Sequence, residues 1–219
     1  MVEQGDGQIA NEPDVSQELL EAYRANPSNP EVITNIWRSF LPEVDIPDCK
    51  WSEDKITESI EGVEGESQRG MMIYLPDLYK GQDGLTRLGE RFPSINNSRT
   101  ALGKGSGIFS FDFPTGWYKV EANTTSPNLY ATAEQLSAHF SRLGRFGQSL
   151  EAYILGSQFS KMINNRYFDE DYSSLLIGSR IDKRCVSALF HEHGALSVMA
   201  ALPTGRAFST EGGRSMQLR

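Results

Sequence analysis

Cysteine is scarce in this chain of 219 residues, which contains only Cys49 and Cys185. The two residues are far apart and neither belongs to a CxxC pair, so the spacing that is typical of redox and metal sites is missing. We interpret them as free thiols of a cytoplasmic protein, with a disulfide between them as the alternative.

Long apolar segments are also absent. No window approaches the roughly 18 consecutive apolar residues that a membrane-spanning helix needs, so no such helix is predicted. Residues 1–15 contain no basic segment followed by an apolar run, so no signal peptide is predicted either. We therefore expect a cytoplasmic protein that has no membrane partner.

Basic residues are fewer than acidic ones, and the net charge is −8 with a pI near 5.0. This balance disfavours nucleic-acid binding, which needs a basic surface to neutralise phosphates. Residues 1–66 hold 16 acidic and 4 basic residues, whereas residues 67–219 hold 13 and 17. We interpret the front part as a solvated, loosely folded segment. The alternative is an acidic segment that docks on a basic surface of the same chain or of a partner.

Apolar residues recur at the period of a helix in four main segments and at the period of a strand in six others. The helical segment at 148–168 is apolar on more than half of its circumference, which predicts a central buried helix. The other helices are predicted at 14–25, 31–41 and 132–144. The strands are predicted at 70–76, 108–113, 117–122, 173–182, 183–190 and 195–202.

The order of these segments favours an α+β fold over a doubly wound parallel sheet, because the strands come in groups. We predict a mainly antiparallel sheet packed against two central helices, with an acidic helical N-terminal appendage. Gly62 and Gly65 mark the predicted domain boundary. Residues 1–66 form the acidic helical region, and residues 67–219 form the α+β globular domain. Pro114-Thr115-Gly116 predicts a hairpin turn between the strands at 108–113 and 117–122.

Two of the three histidines lie in the stretch His191-Glu192-His193-Gly194, between two strand-like segments. Polar residues followed by a glycine that tolerates positive φ are typical of a hairpin connection. A metal site needs three or more ligands, and the HExxH spacing of zinc proteases is missing. We predict an exposed turn that binds no metal, and we predict no cofactor.

An enzymatic alternative also depends on these histidines. His139 lies on the edge of the apolar stripe of a predicted helix. If it lay close to the turn, then His139, His191, Glu192 and His193 would form the acid–base site of a small hydrolase or transferase.

A set of basic residues and one aromatic residue in the last quarter of the chain suggests a binding strip. Its members are Arg180, Lys183, Arg184, Arg206, Phe208 and Arg214. Since no catalytic group has the spacing that its chemistry requires, we predict a non-enzymatic protein-binding or assembly protein. Its partner is another protein or a second copy of the same chain.

Overall fold

The computed structural model describes residues 15–60, 70–95, 102, 106–191, 193–201 and 211–218. The described helices are α1 (Gln17–Ala25), α2 (Pro30–Phe40), α3 (Glu53–Ile60), α4 (Gly81–Arg91), α5 (Ala133–Arg142) and α6 (Leu150–Asn164). The described strands are β1 (Gly70–Leu75), β2 (Ile108–Ser110), β3 (Gly116–Glu121), β4 (Phe146–Gly147), β5 (Ser173–Ile181), β6 (Arg184–Phe190), β7 (Leu196–Ala200), β8 (Glu211–Gly213) and β9 (Ser215–Leu218).

Helices α1, α2, α5 and α6 begin where the sequence supplies a side-chain cap. The Asn29 side chain accepts hydrogen bonds from the first backbone N–H groups of α2, and Pro30 takes the first helical position. Thr132 and Gln135 form a reciprocal capping box at α5. Ser149 caps α6, which ends at Asn165 in the left-handed conformation. Local sequence therefore defines these helix ends.

The strands form two sheets, so the predicted α+β class is confirmed. The first sheet has the order β1-β3-β9-β4, and all of its pairs are antiparallel. The second has the order β2-β5-β6-β7, also antiparallel, and β8 pairs with β5 in parallel. The predicted hairpin at Pro114–Gly116 is wrong. Strands β2 and β3 belong to different sheets, because β2 finds its partner in β5 and β3 in β1 and β9.

Helix α6 is the central helix, and almost every residue of it is buried. It packs against β1 and β5, so it contacts both sheets. Helix α5, in contrast, covers the opposite face of the second sheet, where Leu136 and Phe140 form a small separate cluster with Leu175 and Ile177. Of the two helices that we expected at the centre, only α6 lies there.

The N-terminal helices contribute directly to the main core. The Trp37 ring of α2 stacks on Phe159 of α6 with the ring centroids 4.6 Å apart. Its indole N–H donates to the carbonyl of Met72 in β1 at 3.1 Å. Residues 15–60 therefore share one apolar core with both sheets. The predicted boundary near residue 66 lies outside the described residues and stays a prediction.

Charge attraction makes a small contribution to this packing. Within the described ranges, the ion pair that joins the front part to the rest is Glu43 with Arg91, at 3.6 Å. An exposed or half-exposed pair of this kind is worth about 1 kcal/mol or less. Residues 15–60 are therefore held mainly by apolar contacts, and ion pairs of their acidic residues contribute little.

No helix in the described part of the chain is both long enough and apolar enough to cross a membrane.

Candidate functional site

A cleft of about 280 Å³ lies where β2, the start of α4 and the start of α6 meet. Three parts of the chain bring polar groups to it: Lys80 and Gly81 at the start of α4, Ser110 at the end of β2, and Ser149 with Glu151 at the start of α6. Its remaining lining consists of Leu75, Phe111, Asp112 and Phe113.

Glu151 provides the most unusual group of this cleft. Its side chain lies in the first turn of the central helix and is only 2% exposed. One carboxyl oxygen accepts a hydrogen bond from the Gly81 N–H at 3.2 Å, and the other accepts one from the Ser110 hydroxyl at 2.5 Å. In the described part of the chain, no Lys, Arg or His forms an ion pair with it.

The hydroxyl groups behind Glu151 form a short chain. Ser110 of β2 is paired with Ser179 of β5 in the sheet register, and their hydroxyl oxygens are 2.5 Å apart. The Ser179 oxygen also accepts a hydrogen bond from the Leu150 N–H at 2.8 Å. Ser179 can therefore donate to Ser110, which in turn donates to the carboxyl group of Glu151.

Burial raises the pKa of Glu151, and the hydrogen bonds from Ser110, Ser149 and the Gly81 N–H oppose this effect only in part. A desolvated carboxylate that lacks a cation tends to take up a proton. A group with a shifted pKa that faces a cleft is also a candidate for a functional residue. The cleft therefore holds a carboxyl group that can bind a cation or transfer a proton.

The rim of the cleft is aromatic. Phe111 is 51% exposed, and Phe113 packs edge-on against Phe146, which is 50% exposed, at 6.0 Å between the ring centroids. The guanidinium of Arg180 lies over the Phe111 ring at 5.4 Å. Lys80 is turned to Asp77, to which its ammonium group donates at 2.7 Å. Lys80, the cationic residue of the cleft lining, is therefore already paired with Asp77 and not with Glu151.

The predicted hairpin between the strands on either side of residues 191–194 is confirmed, but the predicted exposure is only partial: His193 is exposed, His191 is half-buried and Gly194 is buried. Strands β6 and β7 are antiparallel neighbours, and the His191 N–H donates to the carbonyl of Ala195 at 2.9 Å. Gly194 has φ +83°, as a turn glycine requires. The His191 ring lies 2.9 Å from the Ser197 hydroxyl and 5.7 Å, centroid to centroid, from the His193 ring. Glu192 lies outside the described residues.

His139 is not brought together with this turn. It lies on α5, over the face of the second sheet that points away from the main core, and its ring is 5.8 Å from that of Phe140. The turn instead packs on the main-core side, where Gly194 approaches Tyr167. A search of the described residues finds no group of three His, Cys, Asp or Glu that could hold a metal ion.

The predicted binding strip is divided by the fold. Lys183 and Arg184 are exposed at the connection between β5 and β6, and Arg180 is half-buried with its guanidinium against Phe111 and the Cys185 thiol. Arg206 and Phe208 lie outside the described residues. Arg214 does not belong to a surface strip, because it is fully buried.

Arg214 is instead the centre of a closed polar cluster. Its guanidinium donates to both carboxylate oxygens of Asp169, at 3.0 and 2.6 Å, and to the backbone carbonyl of Glu121 at 2.8 Å. The ring of Phe168 lies 4.5 Å from it. Burial alone would lower the pKa of Arg214, but the charge and hydrogen bonds of Asp169 outweigh this effect and raise it. The cluster holds the last strands in place and leaves no room for a ligand.

Glu151 and Ser110 were missed by sequence reasoning, although a signal for the first was present. Glu151 stands in a helix that is otherwise apolar on most sides, where a charged residue is expected to have a special partner. No local signal marks Ser110, because its role depends on the pairing of β2 with a strand about 70 residues away.

Compared with known proteins, the chain matches no family model, no curated protein and no solved structure at a significant level.

Proposed function

We propose that the protein is a non-enzymatic binding protein that takes a cationic side chain of a protein partner into the cleft at Glu151. The observation that carries this proposal is the carboxyl group of Glu151, which is almost fully buried, faces the cleft and has no ion-pair partner among the described residues.

The physical reason is the cost of an unpaired buried charge. A carboxylate that is removed from water needs either a proton or a cation, because its hydrogen bonds to neutral donors do not replace its hydration in full. An ammonium group that entered the cleft would supply the missing charge and would let Glu151 release its proton. Binding therefore gains from a charged group that the described residues do not provide.

A side chain of a protein fits the cleft better than a larger free ligand does. The volume of about 280 Å³ is slightly below the range of small-molecule pockets, which is roughly 300–1,000 Å³. Exposed aromatic residues around a small pocket are typical of the centre of a protein interface, where an anchor residue inserts. Phe111, which lines the cleft and is 51% exposed, provides such an aromatic side chain.

The test uses two probes that differ in one group. N-acetyl-lysine methylamide carries the ammonium group, and N-acetyl-norleucine methylamide has an apolar chain without it. We expect the lysine probe to bind at least about ten times more tightly, since one charge-assisted hydrogen bond is worth about 1.5–3 kcal/mol. Calorimetry or chemical-shift titration of the full chain measures both affinities.

Variants locate the binding. Glu151→Gln should remove the preference for the lysine probe, whereas Glu90→Gln, which neutralises an exposed carboxylate of α4, should keep it. Equal binding of the two probes, or a preference that survives Glu151→Gln, would contradict the proposal. Self-association is checked in parallel by sedimentation, because a second copy could supply the lysine or arginine side chain.

An acid–base enzyme is the second candidate, and one observation favours it. The Ser110 hydroxyl donates to the Glu151 carboxyl group at 2.5 Å, which is within reach for proton transfer. A small hydrolase or transferase would then use Ser110 and Glu151 in place of the histidines. Hydrolysis of p-nitrophenyl acetate that is lost in both Ser110→Ala and Glu151→Gln, and kept in Glu90→Gln, would favour this candidate over the first.

A further inference from the structure

A second depression, independent of the Glu151 cleft, lies along the exposed face of α5. It has a volume of about 370 Å³. Its lining comes from one face of the helix and from the segment before it: Asn128, Tyr130, Ala131, Gln135, Leu136, His139 and Arg142. None of these seven residues is acidic, although the whole chain has a net charge of −8. The depression therefore differs in charge from most of the protein.

The polar groups that α5 brings to this depression can donate hydrogen bonds, whereas the side-chain oxygen of Asn128 is an acceptor. Gln135 uses its side-chain oxygen to accept the Thr132 N–H at 2.9 Å, which leaves its NH₂ group as a donor. Arg142 is exposed and donates from Nε to the carbonyl of Ala138 at 3.3 Å. The ring of His139 lies on the same helix face, one turn before Arg142. Such a set of donors suits an oxyanion, and the planar Arg fork suits it best.

Tyr130 adds an unusual feature. Its backbone has φ +63°, a region that residues with a large side chain rarely adopt, and its ring is 65% exposed. The preceding Asn128, with φ +55°, anchors this segment through a hydrogen bond from its side chain to the carbonyl of Gly213 at 2.9 Å. The fold thus maintains a strained backbone that holds an aromatic ring in solvent, which is an arrangement found at functional sites.

We infer that this depression binds an oxyanion that is carried by a flat ring, with the oxyanion at Arg142 and His139 and the ring against Tyr130. An exposed aromatic face contributes stacking to a flat partner. The donor set contributes charge-assisted hydrogen bonds to a carboxylate or a phosphate group. Neither contribution requires the Glu151 cleft, so the two sites can be tested separately.

The experiment titrates the full chain with four probes: phenyl phosphate, benzoate, inorganic phosphate and benzyl alcohol. We expect at least one of the first two to bind ten or more times more tightly than both of the last two, because only they combine ring and charge. Chemical shifts of the His139 ring and of the backbone amides of α5 report the location of binding. Absence of binding by phenyl phosphate and benzoate, or equal binding of inorganic phosphate, would overturn the inference.

Two variants and a control complete the test. Arg142→Gln should weaken binding of the better probe at least tenfold. Tyr130→Asn should do the same without lowering the melting temperature, because asparagine tolerates the left-handed conformation better than tyrosine does. Arg87→Gln removes an exposed charge of α4 and should leave binding unchanged. Binding that survives both Arg142→Gln and Tyr130→Asn would contradict the proposed site.

Discussion

Asp169 and Glu151 are both carboxylates that the fold removes almost completely from water, but their surroundings differ. Asp169 is held by two hydrogen bonds from Arg214, and the pair is closed on all sides. Among the described residues, Glu151 accepts hydrogen bonds only from neutral donors, and it faces a cleft. From this difference we infer a structural role for Asp169 and a binding role for Glu151. A buried charge that already has its partner serves the fold, whereas a buried charge without one is the place to look for a ligand.

The largest expected effect comes from breaking the closed pair. Arg214→Met should lower the free energy of unfolding by about 3–5 kcal/mol, because it leaves Asp169 buried without a cation. Urea denaturation measures this change. The matched control is Arg166→Met, which breaks an exposed pair with Glu170 and should cost about 1 kcal/mol or less. Similar losses in both variants would mean that the closed pair does not have the structural role that its burial indicates.

The hairpin turn provides a reference that depends on backbone geometry instead of charge. Gly194→Val should cost on the order of 1–3 kcal/mol, because φ is +83° and an added Cβ would lie 2.5 Å from the Tyr167 hydroxyl oxygen. The double change of His191 and His193 to Ala should cost less, about 0.5 kcal/mol, as is usual for surface residues. Thermal unfolding compares the two. A larger loss in the double variant would show that the histidines do more than occupy a turn.

The carboxyl group of Glu151 should change how the free energy of unfolding depends on pH. Because the pKa of Glu151 is raised in the folded protein, the folded state binds more protons than the unfolded state between the unfolded and folded pKa values. Its stabilising contribution is therefore complete below the unfolded pKa and is lost as the pH rises through the folded pKa. Glu151→Gln should remove this part of the pH dependence of the free energy of unfolding.

Unfolding experiments at several pH values, from about 4 to 8, measure the slope of the free energy of unfolding against pH. Burial also raises the pKa of Glu121, which contributes a slope of the same sign, so only the difference between the variant and the unaltered chain reports on Glu151. Glu90→Gln serves as the control and should keep the slope of the unaltered chain. A Glu151→Gln variant with an unchanged slope would place the raised pKa in doubt.

The contrast between the two carboxylates could not have been predicted from sequence, although much of the fold could. Helices α1, α2, α5 and α6 and strands β5, β6 and β7 follow from local periodicity and from caps such as Ser149. The turn at Gly194 follows from its residue types. These features depend on neighbours within a few positions, which a single sequence displays.

The features that were missed depend on distant pairing. The strands β2 and β3 look like a hairpin, but β3 lies between β1 and β9. Arg214 looks like part of a basic tail, but Asp169, 45 positions earlier, draws it into the core. The surroundings of Glu151 come from Gly81 and Ser110, on elements that only tertiary packing brings to α6. Sequence patterns show which residues are apolar, but they do not show which polar groups meet.

The most direct test of the account is the titration of the Glu151 side chain itself. Carbon NMR of the glutamate carboxyl groups, with Glu151→Gln for assignment, follows its protonation in the free protein and with saturating N-acetyl-lysine methylamide. The account predicts a midpoint above the ordinary range of glutamate in the free protein, and a lower midpoint when the ammonium group occupies the cleft. A titration midpoint of Glu151 in the ordinary range of glutamate, or one that the lysine probe leaves unchanged, would contradict the claim that Glu151 binds a cation in the cleft.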